Sequence, residues 1–132
     1  TVTQSNARIL ARGAFNTVGW EVFLDTSSTA LRLYDGNTNE FSYAVTTSTR
    51  NHYLYTRQGS TVTLYLNGVQ VKQSTLDVTV ASSSNNLVIG GRSDASNYRY
   101  GGDISMVKIY NKALTSQEAL QNYNLVRTRY GS

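Results

Sequence analysis

A chain of 132 residues can bury a real core as one domain, and its twelve Lys and Arg against eight Asp and Glu give a net charge of +4. The absence of cysteine excludes a disulfide framework and a thiolate metal site, and no apolar run approaches the ~20 residues of a membrane-spanning helix. Charged residues make up only 15% against 39% apolar, and Ser, Thr, Asn and Tyr fill the difference, a profile of extracellular or virion β-proteins more than of cytosolic enzymes.

In chain order, residues 7–12 (ARILAR) read as a short strand closed by Gly13. Residues 19–25 (GWEVFLD) alternate, with Trp20, Val22 and Leu24 on one face, taken as core, and Glu21, Phe23 and Asp25 on the other. A turn at 26–29 leads to a strand at 30–34, and the loop 35–39 (DGNTN) is built of turn-tolerant residues. Strands follow at 41–45 and 52–57, the second with Tyr53 and Tyr55 on one face. Asn67-Gly68 is the dipeptide of a type I′ turn, whose two central residues need positive φ. It predicts a hairpin over 61–73 that pairs Leu66 with Val69 and Leu64 with Val71, with Thr63, Tyr65, Gln70 and Lys72 on the opposite face.

Residues 77–80 and 87–89 are further strands joined by the loop SSSNN, and 92–100 is a polar loop with two tyrosines. A strand is expected over 104–110, leading into a short helix. The Thr115 and Glu118 pair has the S/T-x-x-E spacing of a capping box, with Leu114 before it as a staple for Ala119. Ala119, Leu120, Tyr123 and Val126 then recur at helical spacing, so one helix face docks on apolar surface. Nine or ten short strands and one terminal helix predict an all-β antiparallel sandwich in a single domain over 1–132.

Three stretches carry a family resemblance: YLYTRQGSTVTLYLNGVQV (53–71), NLVIGG (86–91) and GGDISMVKIYNKALTSQEALQNY (101–123). In this order they resemble the laminin-G-like, concanavalin A-like lectin/glucanase superfamily, as does RILARG with GWEVFLD nearer the start. The resemblance implies a jelly roll of two antiparallel sheets with one short C-terminal helix. NYNLVRTRYG (122–131) is similar to endings of such domains in tailed-phage and other viral structural proteins. The family's opening strands are absent or squeezed into seven residues, so a chain that begins at Thr1 reads as shortened or as a piece of a longer polypeptide. An edge left open in this way predicts self-association or a partner that covers it. Many members read G-x-I-D, whose Asp holds a structural Ca²⁺. Here Ser105 stands at that position, which argues against inherited calcium and leaves Asp103 as the nearby acid. No cofactor is expected.

The chemistry points away from catalysis. A glycosidase needs two carboxylates flanking the scissile bond, and Glu21 and Asp25, four residues along one strand, stand ~13 Å apart. His52 has no nucleophile motif around it and reads as a packing histidine. Asp94, Asn97 and Asp103 are oxygen donors on or beside a loop, where a hard cation or an ordinary solvated loop both fit. Tyr offers a flat apolar face with a polar tip, which suits sugar stacking and protein interfaces alike. Tyr34, Asn37, Tyr65, Asp94, Asn97, Tyr98 and Tyr100 are therefore the candidate ligand-binding residues. The basic residues, scattered from Arg8 to Arg129, form no stripe for nucleic acid and read as a solvated surface. The first functional expectation is a non-enzymatic domain on a phage or other virus particle, a capsid decoration or a tail or fibre module contacting other virion proteins and host-surface glycans. The alternative is a carbohydrate-binding module of a secreted or cell-surface protein.

Overall fold

Alternating Val, Leu, Tyr and Thr between turn residues produce eight strands among the described residues, and one helix follows. The computed structural model describes residues 6–14, 18–25, 27, 29–34, 40–46, 48–76, 83–92 and 97–130. The expected strand 77–80 and loop 35–39 lie outside them. The chain divides into two compact units, Thr1–Thr46 with Asp77–Ile104, and Thr47–Leu76 with Ser105–Ser132.

The first unit holds a five-stranded sheet of β1 (Arg8–Ala14), β2 (Val18–Leu24), β3 (Ala30–Tyr34), β4 (Glu40–Ala44) and β8 (Val88–Ile89), ordered β4-β3-β2-β1-β8. Every pairing is antiparallel. β1 does not stop at Gly13 but continues through it, because Gly13 faces Gly19 in the ladder and Ala14 faces Val18. The two faces of β2 are not as alternation suggested. Glu21, Phe23 and Leu24 are buried, whereas Trp20 and Val22 are only half-buried. The cause is a bulge in β1. Ala11 pairs with Glu21 and Leu10 with Val22, but Arg8 pairs with Phe23, so Ile9 is the extra residue. Arg8 and Ala11 thereby share the face of Glu21 and Phe23, and a cation reaches an acid that polarity alone would have put outside.

The second unit holds the sheet β5 (Tyr53–Gln58), β6 (Thr61–Leu66) and β7 (Val69–Thr75), ordered β5-β6-β7, with the helix α1 (Ser116–Tyr130). Asn67 and Gly68 have φ of 51° and 81°, the left-handed pair that the type I′ turn requires, and Leu66 faces Val69 as expected. Beyond that the register differs. Tyr65 pairs with Gln70 but Leu64 pairs with Lys72, so Val71 bulges out of β7 and the expected pairing of Leu64 with Val71 is lost. Val62, Thr63, Leu64 and Tyr65 are all buried, since β6 is the central strand and both of its faces are covered.

The capping box forms as its spacing predicts. Glu118 N–H donates to Thr115 Oγ1 at 3.2 Å, and Thr115 N–H donates to Glu118 Oε2 at 2.9 Å. Leu114, Ala119 and Val126 are buried, but Leu120, expected on the docked face, is 45% exposed. It lies against the turn at Gly68, where an added Cβ would stand 3.1 Å from the Leu120 Cα and 3.1 Å from the Tyr123 Cβ. The helix thus packs over a glycine, and the close backbone approach leaves the Leu120 side chain at the rim. No ladder joins residues 104–110 to a described strand, in contrast to the strand expected there. Apolar residues mark a segment able to lie in a sheet, but only a neighbour's N–H and C=O groups make it one. The all-β antiparallel class with a single C-terminal helix stands. Among the described residues no helix is long and apolar enough to cross a membrane.

Candidate functional site

The loop after β8 gathers three of the expected ligand residues, Asn97, Tyr98 and Tyr100, and leads on to Asp103. Its anchor is Arg8, only 3% exposed. Arg8 Nε donates to Glu21 Oε2 at 2.9 Å, Nη2 lies 2.7 Å from the same oxygen, and Nη1 donates to the Asn6 carbonyl at 2.6 Å. The guanidinium also sits 4.5 Å from the Phe23 ring centroid and 4.6 Å from that of Tyr98. Glu21 is 1% exposed. Its second oxygen, Oε1, makes no hydrogen bond among the described residues and lies 3.4 Å from Arg92 Nε. Two guanidiniums thus bracket one buried carboxylate, and Arg92 stands 5.1 Å over the Tyr98 ring as well.

The backbone ties the loop to the sheet. Arg8 N–H donates to the Tyr98 carbonyl at 2.9 Å, Arg8 and Arg99 form an isolated parallel bridge, and Tyr100 N–H donates to the Gly90 carbonyl at 3.0 Å. Tyr98 has φ of 72°, a left-handed conformation that a bulky side chain adopts only when its surroundings impose it. Here the surroundings are the two arginines on its ring and the Arg8 N–H on its carbonyl. The Tyr100 ring folds over Gly102, where an added Cβ would stand 2.6 Å from the phenol oxygen, so a larger residue there would displace the end of the tyrosine ring. Tyr98 and Tyr100 are half-buried, while Asn97, Arg99 and Asp103 are exposed. The loop therefore offers amide, guanidinium, phenol and carboxylate groups on a braced backbone.

The other expected residues fall elsewhere. Tyr34 is 3% exposed and faces Glu21 across the β2–β3 ladder, and Tyr65 is 5% exposed in the central strand β6. Both sit in the core and not at the surface, because the face expected on the solvent side is the buried one in β2–β3 and the middle of β6 is buried on both faces. Asn37 and Asp94 lie outside the described residues. Among the described residues no three of His, Cys, Asp and Glu converge on one point, and Asp103 and Ser105 are both exposed. Asp25 is committed to its own turn, accepting from Thr29 N–H at 2.9 Å and Ala30 N–H at 3.2 Å. Against the upward push of burial, these donors and the Arg32 guanidinium hold its carboxyl below the ordinary 3.8. His52 is half-buried with its ring 6.2 Å from that of Tyr123. Burial, with the charge of Lys108 beside it, holds its pKa below 6.5.

Sequence reasoning missed Arg8, Glu21 and Arg92, the frame that braces the loop. Glu21 stands 13 residues from Arg8 and 71 from Arg92, and nothing local in the sequence links them.

The family model described as "Concanavalin A-like lectin/glucanases superfamily" matches residues 1–119. No curated protein matches the chain. Among solved structures, a crystal structure of an S-layer domain-containing protein from Clostridium thermocellum is similar, at 22% sequence identity and a TM-score of 0.49. The alignment covers 93% of this chain and 65% of that one. The family match ends at residue 119 and so does not reach the C-terminal NYNLVRTRYG on which the viral type rested.

Proposed function

The chain belongs to the concanavalin A-like lectin/glucanase superfamily, and from that premise we propose that it is a non-catalytic carbohydrate-binding module of a secreted or cell-surface protein. The family match over residues 1–119 carries the reading. The loop from Asn97 to Asp103 supports it, since tyrosine faces beside amide, guanidinium and carboxylate groups suit a sugar's mix of C–H surface and hydroxyls. A binding rather than hydrolytic role is supported by the fate of the two β2-side acids. Glu21 is held between Arg8 and Arg92, and Asp25 accepts the N–H groups of its own turn. Neither carboxylate is left to protonate a leaving group or attack an anomeric carbon.

A glycan array probed with the intact chain tests this. Specific binding to one glycan class is expected, weakened by Tyr100→Ala and by Arg99→Ala with no release of reducing sugar. An array without any bound glycan would remove the reading. Sugar release that disappears in Asp25→Asn would replace it with a hydrolase.

A further inference from the structure

The charge of this chain is not spread evenly over its two units. The unit of residues 47–76 and 105–132 holds seven of the twelve Lys and Arg but one of the eight Asp and Glu, a net +6. The other unit holds five of the cations and seven of the acids, a net −2. The one acid of the basic unit, Glu118, is occupied at the start of α1 by the Lys112 ammonium and the Thr115 N–H.

Four of the six remaining cations gather toward one face. Arg50 Nη1 donates to the Tyr130 carbonyl at 3.0 Å, which brings the segment before β5 to the C-terminal end of α1, where Arg127 and Arg129 project. Arg127 stands 5.9 Å over the Tyr123 ring, the Tyr123 ring is 6.2 Å from that of His52, and Lys108 is close enough to His52 to act on its charge. Arg50, Lys108, Arg127 and Arg129 are all exposed, and none pairs with a carboxylate among the described residues. Cations at a helix C-terminus offset the helix dipole, which accounts for part of this. It does not account for Lys108, nor for a unit with a single, already engaged acid.

We propose that this face, from Lys108 across Tyr123 and Arg127 to Arg50 and Arg129, is a second binding surface, for an acidic polysaccharide carrying carboxylate or sulfate groups. Uncompensated cations on long exposed stems beside half-buried aromatic rings match a polymer with anionic groups set along neutral rings. The choice of polysaccharide among polyanions rests on the carbohydrate-binding reading of the family, while the surface itself does not depend on the loop from Asn97 to Asp103.

The test uses the whole chain with sodium alginate and heparin as anionic probes, a neutral β-glucan, and a single-stranded oligonucleotide. Binding to at least one anionic glycan is expected, weakening by about tenfold or more between low salt and roughly 0.5 M NaCl, as exposed charge pairs are screened. The double variant Arg127→Gln/Arg129→Gln should lose about tenfold at low salt, and so should Lys108→Glu, with unchanged circular dichroism, as exposed charges lose their counter-anions. Tyr100→Ala should leave this binding intact while weakening any neutral-glycan binding, so that failure of one surface is read apart from failure of the other. No binding of either anionic glycan at low salt overturns the proposal, as does full binding by the double variant. Tighter binding of the oligonucleotide than of both glycans overturns it in favour of a nucleic-acid surface.

Discussion

The two units use charge in opposite ways. In the first, charge is turned inward and neutralised, with Arg8 and Glu21 buried against each other and Arg92 closing the far side of the carboxylate. In the second, Arg50, Lys108, Arg127 and Arg129 stand outward, and none of these four pairs with a carboxylate among the described residues. The contrast separates structural from available charge. A buried pair repays its desolvation only through near-ideal geometry and so is committed to the fold. An exposed cation contributes little to stability and remains free to meet a ligand.

The sharpest way to break this comparison is to unbalance the inner pair. Glu21→Gln leaves the Arg8 charge buried without its counter-ion, and removing one partner of such a pair costs about 3–5 kcal/mol. Chemical denaturation should show a loss of that size, with the loop from Asn97 to Asp103 loosened as well, since Arg8 holds both Tyr98 and the Arg99 bridge. Replacing both residues, as Arg8→Met/Glu21→Leu, should cost clearly less than the single change. If the single variant is the more stable, the pair is not what braces this unit. By contrast, Arg127→Gln should be nearly silent in stability, because Arg127 is exposed and pairs with no carboxylate among the described residues.

A second strain, in the basic unit, sets the scale for backbone against charge. Gly68→Ala meets two penalties, a φ of 81° and a Cβ only 3.1 Å from the Leu120 Cα. A side chain held in that region costs about 1–3 kcal/mol. Leu120→Ala in the same chain should not restore the loss, because the obstructing Cα and the Tyr123 Cβ remain. Full rescue would show that the helix does not rest on the turn as described.

What could be read from the sequence was what neighbouring residues decide between themselves. Asn67-Gly68 specifies its turn within two residues, and Thr115 with Glu118 specifies a helix start within four. Antiparallel strands with one terminal helix follow from alternation and turn spacing, and they are present. What could not be read depends on residues distant in the chain. The inner face of β2 was misassigned because a glutamate reads as solvent-side unless its arginine is known to arrive through a one-residue bulge at Ile9. Tyr34 and Tyr65 were candidates for ligand contact for a related reason, since alternation shows two faces but not which of them is covered. The proposed basic surface was seen only as scattered cations, because Arg50 and Arg127 are brought near one another only by the packing of α1 beside the start of β5, where Arg50 donates to the Tyr130 carbonyl and the Tyr123 ring lies by His52. A count of acids by segment would have been the one available signal, as residues 47–76 contain none.

The capping box gives a smaller, local test. Thr115→Ala removes the hydroxyl that accepts the Glu118 N–H, a loss of about 1 kcal/mol. The melting temperature should fall by a few degrees. The Lys112 ammonium and then the Thr115 N–H hold the Glu118 carboxyl below its ordinary 4.5. The capping contribution should therefore persist at neutral pH and fade as the solution is acidified below that value.

The smallest expected effect is a pH dependence that belongs to the basic unit alone. Burial and the neighbouring Lys108 charge lower the His52 pKa from 6.5, and Nδ1 is buried with no hydrogen-bond partner among the described residues. The unfolded chain therefore takes up the His52 proton at a higher pH than the folded chain does. Stability from keeping the ring neutral is fully present above 6.5 and is lost as the pH falls through the lower folded value. Asp25 and Glu118 cannot produce this slope, since their carboxyls start from ordinary values of 3.8 and 4.5 and are both lowered further. Melting temperature measured from pH 7 downward should thus show a first, shallow decline just below 6.5 and a steeper one only below the carboxylate range. His52→Gln should flatten the first decline and leave the second. Lys108→Gln should weaken the first decline without abolishing it, because burial is the larger cause and the charge the lesser. A first decline untouched by His52→Gln would mean that the ring is not buried beside Tyr123, and the face assigned to the acidic polysaccharide would have to be redrawn without it.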